Sequence, residues 1–182
     1  MTLLCHGATR SMRVGGFGAS HEPLDEGGIC KVAGLKRTIG VPSFVLTSPA
    51  MAACQTAAGL GWTATVDDRL RDIAVGPWSG LDFADVMSRD ATGFQAWIER
   101  PEDGAPSGET MAQVRSRAAE WLAEQTASSG EVMAVTHPMV IRAALSAALD
   151  LPLGCAMRFD IAPLSTATLS HNGIWRLQSF GS

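Results

Sequence analysis

Long apolar runs are missing from this chain of 182 residues. No stretch approaches the ~18–20 residues that a membrane-spanning helix needs. Basic charge is not in surplus either, with 14 Lys and Arg against 18 Asp and Glu, a net of −4. With no basic stripe, nucleic acid is not an expected partner. The four cysteines (Cys5, Cys30, Cys54 and Cys155) form no C-x-x-C pair. That pattern argues against a disulfide framework and for reduced thiols of a cytoplasmic protein. A secretory h-region is also lacking, because His6 and Arg10 interrupt the apolar start. Neither an internal repeat nor a low-complexity segment occurs. The chain has 46% hydrophobic and 18% charged residues, which excludes a disordered class. Its length suits a single domain, 1–182, able to bury about 70% of its unfolded surface.

Strand-like runs fall at 2–6, 43–47, 131–136, 156–161, 165–170 and 173–178. Helical patterns fall at 25–37, 50–59, 81–99, 109–127 and 139–149. This alternation predicts a three-layer α/β/α sandwich built on a mostly parallel sheet. The last three β runs, with Asn172-Gly173 as a hairpin signal, predict an antiparallel edge. In the pattern at 109–127, Met111, Val114, Ala118, Trp121 and Leu122 share one face. Glu109 and Thr110 open that helix, where acidic groups suit its dipole. The loop at 100–108 either covers a site or is a plain surface connection.

Thr2-Leu3-Leu4-Cys5-His6-Gly7 reads as a buried strand that delivers a histidine to its carboxyl end. In open α/β sheets that edge binds ligands. Gly7 permits a tight turn, and the amides of residues 7–9 are candidates for cradling an anion. Val132-Met133-Ala134-Val135-Thr136-His137-Pro138 repeats the pattern about 130 residues later. Proline suits the first position of a helix, so His137 falls at a helix amino terminus, where phosphate is favoured. Either histidine alone has a packing reading. Two of them facing one pocket read as chemistry.

Six collinear motifs carry a resemblance across nearly the whole chain. Leu-Leu-Cys-His-Gly-Ala-Thr at 3–9 resembles the Arg-His-Gly signature of the histidine phosphatase (phosphoglycerate mutase-like) superfamily. Glu22-Pro23-Leu24 with Gly27-Gly28 is similar to the stretch that follows it. The segments 48–57 (Ser-Pro-Ala-Met-Ala-Ala-Cys-Gln-Thr-Ala) and 70–80 (Leu-Arg-Asp-Ile-Ala-Val-Gly-Pro-Trp-Ser-Gly) resemble two more. Gly108-Glu109-Thr110 resembles Gly-Glu-Ser, and 135–142 resembles Val-x-His-x-x-x-Ile-Arg. The resemblance implies a phosphoglycerate mutase-like fold and a metal-independent phosphatase acting through a phosphohistidine. His6 is then the nucleophile, attacking as a neutral imidazole. Asp72 stands at the general acid, one methylene shorter than the usual Glu. His137, charged, would stabilise the phosphoryl oxygens. The implied ligand is a small phosphorylated molecule, with no cofactor.

Two departures stand out. The family's pocket arginines are replaced by Cys5 and Ala52. Arginine grips phosphate bidentately, and each charge-assisted hydrogen bond contributes about 1.5–3 kcal/mol. Arg10 and Arg13, in the loop after the nucleophile, are the candidate replacements. They join Gly7 and Thr9 as expected phosphate-binding residues, with solvated loop charges as the alternative. Arg142 reads as structural, Trp78 as packing beside the acid's loop, and Glu109 as either a pocket group or a helix-start charge. Three functions stay open: a weak phosphatase of small phosphomonoesters, a degenerate relative that binds a ligand or partner, and thiol or metal chemistry at Cys5. In the last, Cys5 would act with His6, His137 and, if near the same edge, Cys54. Free cysteine as a small buried hydrophobe is the bland alternative.

Overall fold

Alternating side chains on the central strands divide the core in two. The computed structural model describes residues 1–126 and 130–181. Its strands are β1 (Thr2–Cys5), β2 (Phe44–Thr47), β3 (Thr65–Val66), β4 (Val132–Thr136), β5 (Thr166–His171) and β6 (Trp175–Gly181). The longer helices are α2 (Glu26–Leu35), α3 (Met51–Leu60), α6 (Met111–Gln125) and α7 (Pro138–Ala148). Leu3 and Cys5 on β1 join Leu46, Val132 and Ala134 against α6 and α7. Leu4 points the other way, joining Val45, Met133 and Val135 against α2 and α3. Period-two burial of this kind requires a sheet covered on both faces.

The six strands form one sheet in the order β3-β2-β4-β1-β5-β6. β1, β2, β3 and β4 run parallel, whereas β5 and β6 add the expected antiparallel edge. Cys5 pairs with Thr136, and Thr47 with Val135. That register sets the residues after three strands, Ser48, His137 and His6, side by side at one edge. Among the described residues, no helix is long and apolar enough to cross a membrane.

Several expectations need correction. The run at 156–161 is not a strand. Residues Leu153–Ala156 form a short helix, α8, and the amides of Arg158 and Phe159 bond back to Cys155 and Ala156. The sheet position beside β1 is filled by β5 instead. The pattern at 81–99 is two helices, α4 (Phe83–Arg89) and α5 (Ala91–Glu99). Asp90 breaks it by leaving helical geometry and accepting a hydrogen bond from the Gly93 amide. The hairpin closes at the His171–Trp175 pair, with a three-residue loop that contains the expected Asn172-Gly173 signal. A five-residue helix, α1 (Arg10–Val14), and the two-residue β3 are too short to give a periodic signal. The helix expected over 109–127 runs Met111–Gln125; Thr110 and Gln113 form a capping box at its start, and residue 127 lies outside the described residues.

Candidate active site

His6 leaves β1 with its amide bonded to the Thr136 carbonyl, 2.9 Å away, which locks it beside β4. Its ring meets that of His137 edge-on, with centroids 4.9 Å apart. Both rings are nearly closed off, 6% and 4% exposed. The sequence thus places both histidines correctly on strand ends, and the sheet register brings them into contact.

Burial dictates their charge. The His6 pKa is pushed down to about 4, by desolvation first and then by the neighbouring His137. That of His137 is pushed down to about 3, again mainly by desolvation. Both rings are therefore neutral near pH 7, as expected for His6. For His137 the expected charge belongs to the phosphate-bound state, and the empty site leaves the ring neutral. His6 Nδ1 lies 2.7 Å from the Gly7 carbonyl, an acceptor, so Nδ1 carries the proton. The lone pair is then left on Nε2. His137 Nε2 lies 2.8 Å from Ser48 Oγ, which also accepts from the Ala50 amide at 3.2 Å. This arrangement lets Ser48 donate to Nε2 and turns Nδ1–H of His137 toward Asp72 Oδ2 at 3.5 Å.

Asp72 lies in the irregular segment between two 3-10 turns, Asp68–Leu70 and Gly76–Trp78. Its side chain opens into the cleft, 45% exposed. Protein crowds it on the other sides, and the resulting desolvation raises its pKa above the usual carboxylate value. The Ile73 amide, His6 and Arg117 oppose that shift, whereas Glu109 adds to it. A raised carboxyl beside a depressed imidazole separates an acid from a nucleophile.

The segment that carries Asp72 is clamped from α6. Arg117, 8% exposed, donates to the carbonyls of Arg69 at 2.6 Å and Asp72 at 3.2 Å. It also forks onto Glu109 at 2.9 and 3.1 Å. Glu109 in turn accepts from the Ala74 amide and from Arg71. Glu109 is thus neither a phosphate contact nor a mere helix-start charge. Its place at the start of the helix was visible in sequence; Arg117 was not, since an Arg on an amphipathic helix reads as solvated.

The expected phosphate contacts fare unevenly. Thr9 lines the cleft, its hydroxyl 3.1 Å from Ser11 Oγ. Gly7 does not, because its amide donates to Thr56 Oγ1 at 2.9 Å. Its lack of a side chain serves packing instead: a Cβ there would sit 3.1 Å from both Leu24 and Val32. Arg10 forks onto Asp82 in solvent, 3.1 Å on both arms, and Arg13 pairs with Asp25. Neither lines the cleft. Cys5 is fully buried, its thiol pushed up to about 12 chiefly by desolvation. It takes no part in the cleft, and a protonated thiol neither attacks nor binds metal. Cys54 donates its Sγ–H to the Ser48 carbonyl. Among the described residues, no cluster of three His, Cys, Asp or Glu could hold a metal.

The cleft itself has a volume of about 780 Å³. His6, Asp72, His137 and Ala52 line it, together with Arg142 from α7. Arg142 donates through Nε to the Phe159 carbonyl at 3.0 Å and through Nη1 to Met139 Sδ at 3.4 Å. Unlike Arg10, Arg13, Arg71 and Arg117, it has no carboxylate within salt-bridge distance among the described residues. Desolvation lowers its pKa, with Asp160, Cys5 and Asp72 opposing. The segment 100–108 does cover the site, since Pro101 and Ala105 form part of the wall.

Paired strand-end histidines on this sheet define a phosphoglycerate mutase-like fold. The family model of the histidine phosphatase superfamily (branch 1) matches residues 1–181, and the chain belongs to that superfamily. It is 29% identical over 185 residues to the bifunctional protein Rv2228c of Mycobacterium tuberculosis, covering 95% of this chain and 51% of that one. It is 32% identical over 127 residues to the glucosyl-3-phosphoglycerate phosphatase of the same organism, covering 62% and 56% respectively. The chain thus spans about half the length of these relatives. A solved mycobacterial glucosyl-3-phosphoglycerate phosphatase, in complex with VO3, superposes with a TM-score of 0.87 at 28% identity, covering 100% of this chain and 98% of that one.

Proposed function

We propose that the protein hydrolyses small phosphomonoesters in two steps through a phosphohistidine on His6. The observation that carries this reading is the His6 ring, neutral, with Nδ1–H committed to the Gly7 carbonyl and Nε2 free. In the first step Nε2 attacks phosphorus, the bond to the alcohol oxygen breaks, and protonated Asp72 gives that oxygen its proton. In the second, water attacks phosphorus, Asp72 takes the water proton, and the N–P bond breaks to release inorganic phosphate. The raised carboxyl of Asp72 suits it to hold a proton for the first step. Arg117 holds the Asp72 main chain through its carbonyl, which fixes the point from which the shorter side chain reaches into the cleft.

Charge for the phosphoryl group comes from Arg142 and from the start of α7, where Pro138 leads into amides that have no partner within the helix. An arriving dianion also raises the pKa of His137 and lets that ring take up a proton. The family's reaction requires no metal from these residues, so activity is expected to survive EDTA. The test is hydrolysis of p-nitrophenyl phosphate with EDTA present, comparing wild type with His6→Ala. Loss of activity in the variant by about 10³-fold or more is expected. Equal rates in the two proteins would sink the mechanism. They would favour a ligand-binding relative, the reading that the neutral Cys5 and Ala52 support.

A further inference from the structure

The cleft is far larger than a phosphoryl group needs, and much of its lining is apolar. Volumes of this order enclose a drug-sized ligand. Met12, Phe17, Val75, Phe83, Trp97 and Pro101 contribute apolar side chains to the cleft wall. Three of these rings form a set surface. Phe17 meets Trp97 at 5.0 Å and Phe83 at 5.1 Å, and Phe83 lies 5.9 Å from Trp97. Buried Trp78, Val86 and Phe94 support them from behind. Phe83 and Trp97 are themselves only half-buried and face the cleft. A supported aromatic wall of this kind recognises apolar or aromatic groups.

Charge in the cleft points the same way. Four charged side chains line it: Glu22, Arg71, Asp72 and Arg142. Glu22 accepts from the amide and hydroxyl of Ser11. Arg71 is held by Asp68 and Glu109. Only Arg142 is free of a carboxylate among these, and one phosphoryl group uses it. A second anionic group on the substrate, such as a carboxylate or another phosphate, would enter a cleft with no spare cation and with Glu22 on its wall. Its desolvation would go uncompensated.

We infer that the substrate is a phosphomonoester of a bulky apolar or aromatic alcohol, with no second anionic group. This rests on the phosphatase reading above and adds the leaving-group class to it. The same geometry argues against a mutase, whose substrates carry a further oxygen anion or phosphate to be held during transfer.

The experiment compares kcat/KM for 2-phenylethyl phosphate, glycerol 3-phosphate and 3-phosphoglycerate on the full chain. All three are esters of primary alcohols, so leaving-group chemistry is similar and the difference reads recognition. Expected is a preference for 2-phenylethyl phosphate of about tenfold or more over glycerol phosphate, from burial of the ring. A further loss is expected for 3-phosphoglycerate. Trp97→Ala should lower the rate with the phenylethyl ester more than that with glycerol phosphate, narrowing the preference between them. Met12→Lys, at a position exposed on α1 and therefore tolerant in folding, should narrow the gap between the phenylethyl ester and 3-phosphoglycerate. Equal rates on all three esters, or a preference for 3-phosphoglycerate, overturns the substrate class and leaves the phosphatase reading standing. No hydrolysis of any ester, with p-nitrophenyl phosphate also untouched, removes both.

Discussion

Arginine placement decides how a phosphate site with Cys5 and Ala52 in place of two arginines could still work. Of the charged residues near the cleft, Arg10, Arg13 and Arg117 are each committed to a carboxylate. Arg142 is committed only to a carbonyl and a thioether, and it lines the cleft with His6. In sequence Arg142 reads as structural, because it sits one turn into a helix and matches a motif shared by intact sites. Nothing in linear spacing reveals that its guanidinium lacks an acid partner. Arg142→Met should therefore raise the inhibition constant of inorganic phosphate by about 10- to 100-fold, the equivalent of one charge-assisted hydrogen bond. Arg142→Lys should recover part of that loss. Phosphate inhibition unchanged in both variants would remove Arg142 from the site.

At the scale of elements, α6 does more than cover the sheet. Arg117 and Glu109 lie eight residues apart, at its body and just ahead of its start, and together grip residues 69–74. Lysine at 117 keeps the charge but cannot reach two carbonyls and a carboxylate from one planar fork. Arg117→Lys is expected to lower kcat about tenfold with little change in KM, since Asp72 is misplaced while the phosphate contacts stay. Its pH profile should also move at the alkaline limb, which reports protonated Asp72. A fall in thermal stability with an unshifted pH profile would assign Arg117 to packing alone. Element boundaries themselves were partly legible. β1, β4 and α7 were, because apolar runs end on histidine and proline. The break at Asp90 was not, because an acidic residue inside an amphipathic pattern reads as a solvent-facing position until its side chain is seen capping Gly93.

For the whole molecule, the buried histidines tie stability to pH. In the unfolded chain both titrate near 6.5; in the fold they hold off protonation until about 4 for His6 and about 3 for His137. Below pH 6.5 the unfolded state binds protons that the folded state refuses, so stability falls as pH drops through this window and levels off below it. Each histidine contributes a slope of about 1.4 kcal/mol per pH unit at most. Asp72 acts in the opposite sense: raised in the fold, its contribution is present at low pH and lost as pH rises past its folded value. Urea midpoints between pH 7 and 4 should fall less steeply for His6→Ala than for wild type. Equal slopes would show that His6 is charged in the fold at these pH values.

The order of strand and helix patterns, two strand-end histidines and the collinear motifs were enough to determine the α/β class, the parallel sheet with its antiparallel edge, and the family. Those features are local, written in periodicity and in the residues that end each run. Tertiary structure alone decided which charges reach the cleft. Arg10 and Arg13, next to the nucleophile in sequence, are drawn outward by Asp82 and Asp25. Arg142, about 135 residues from His6 in the chain, is delivered to it by the β1–β4 register and the first turns of α7. The aromatic wall likewise assembles from Phe17, Phe83 and Trp97, which share no local pattern. Partner choice among charges and contact among distant rings depend on three-dimensional proximity, and a linear pattern does not encode it residue by residue.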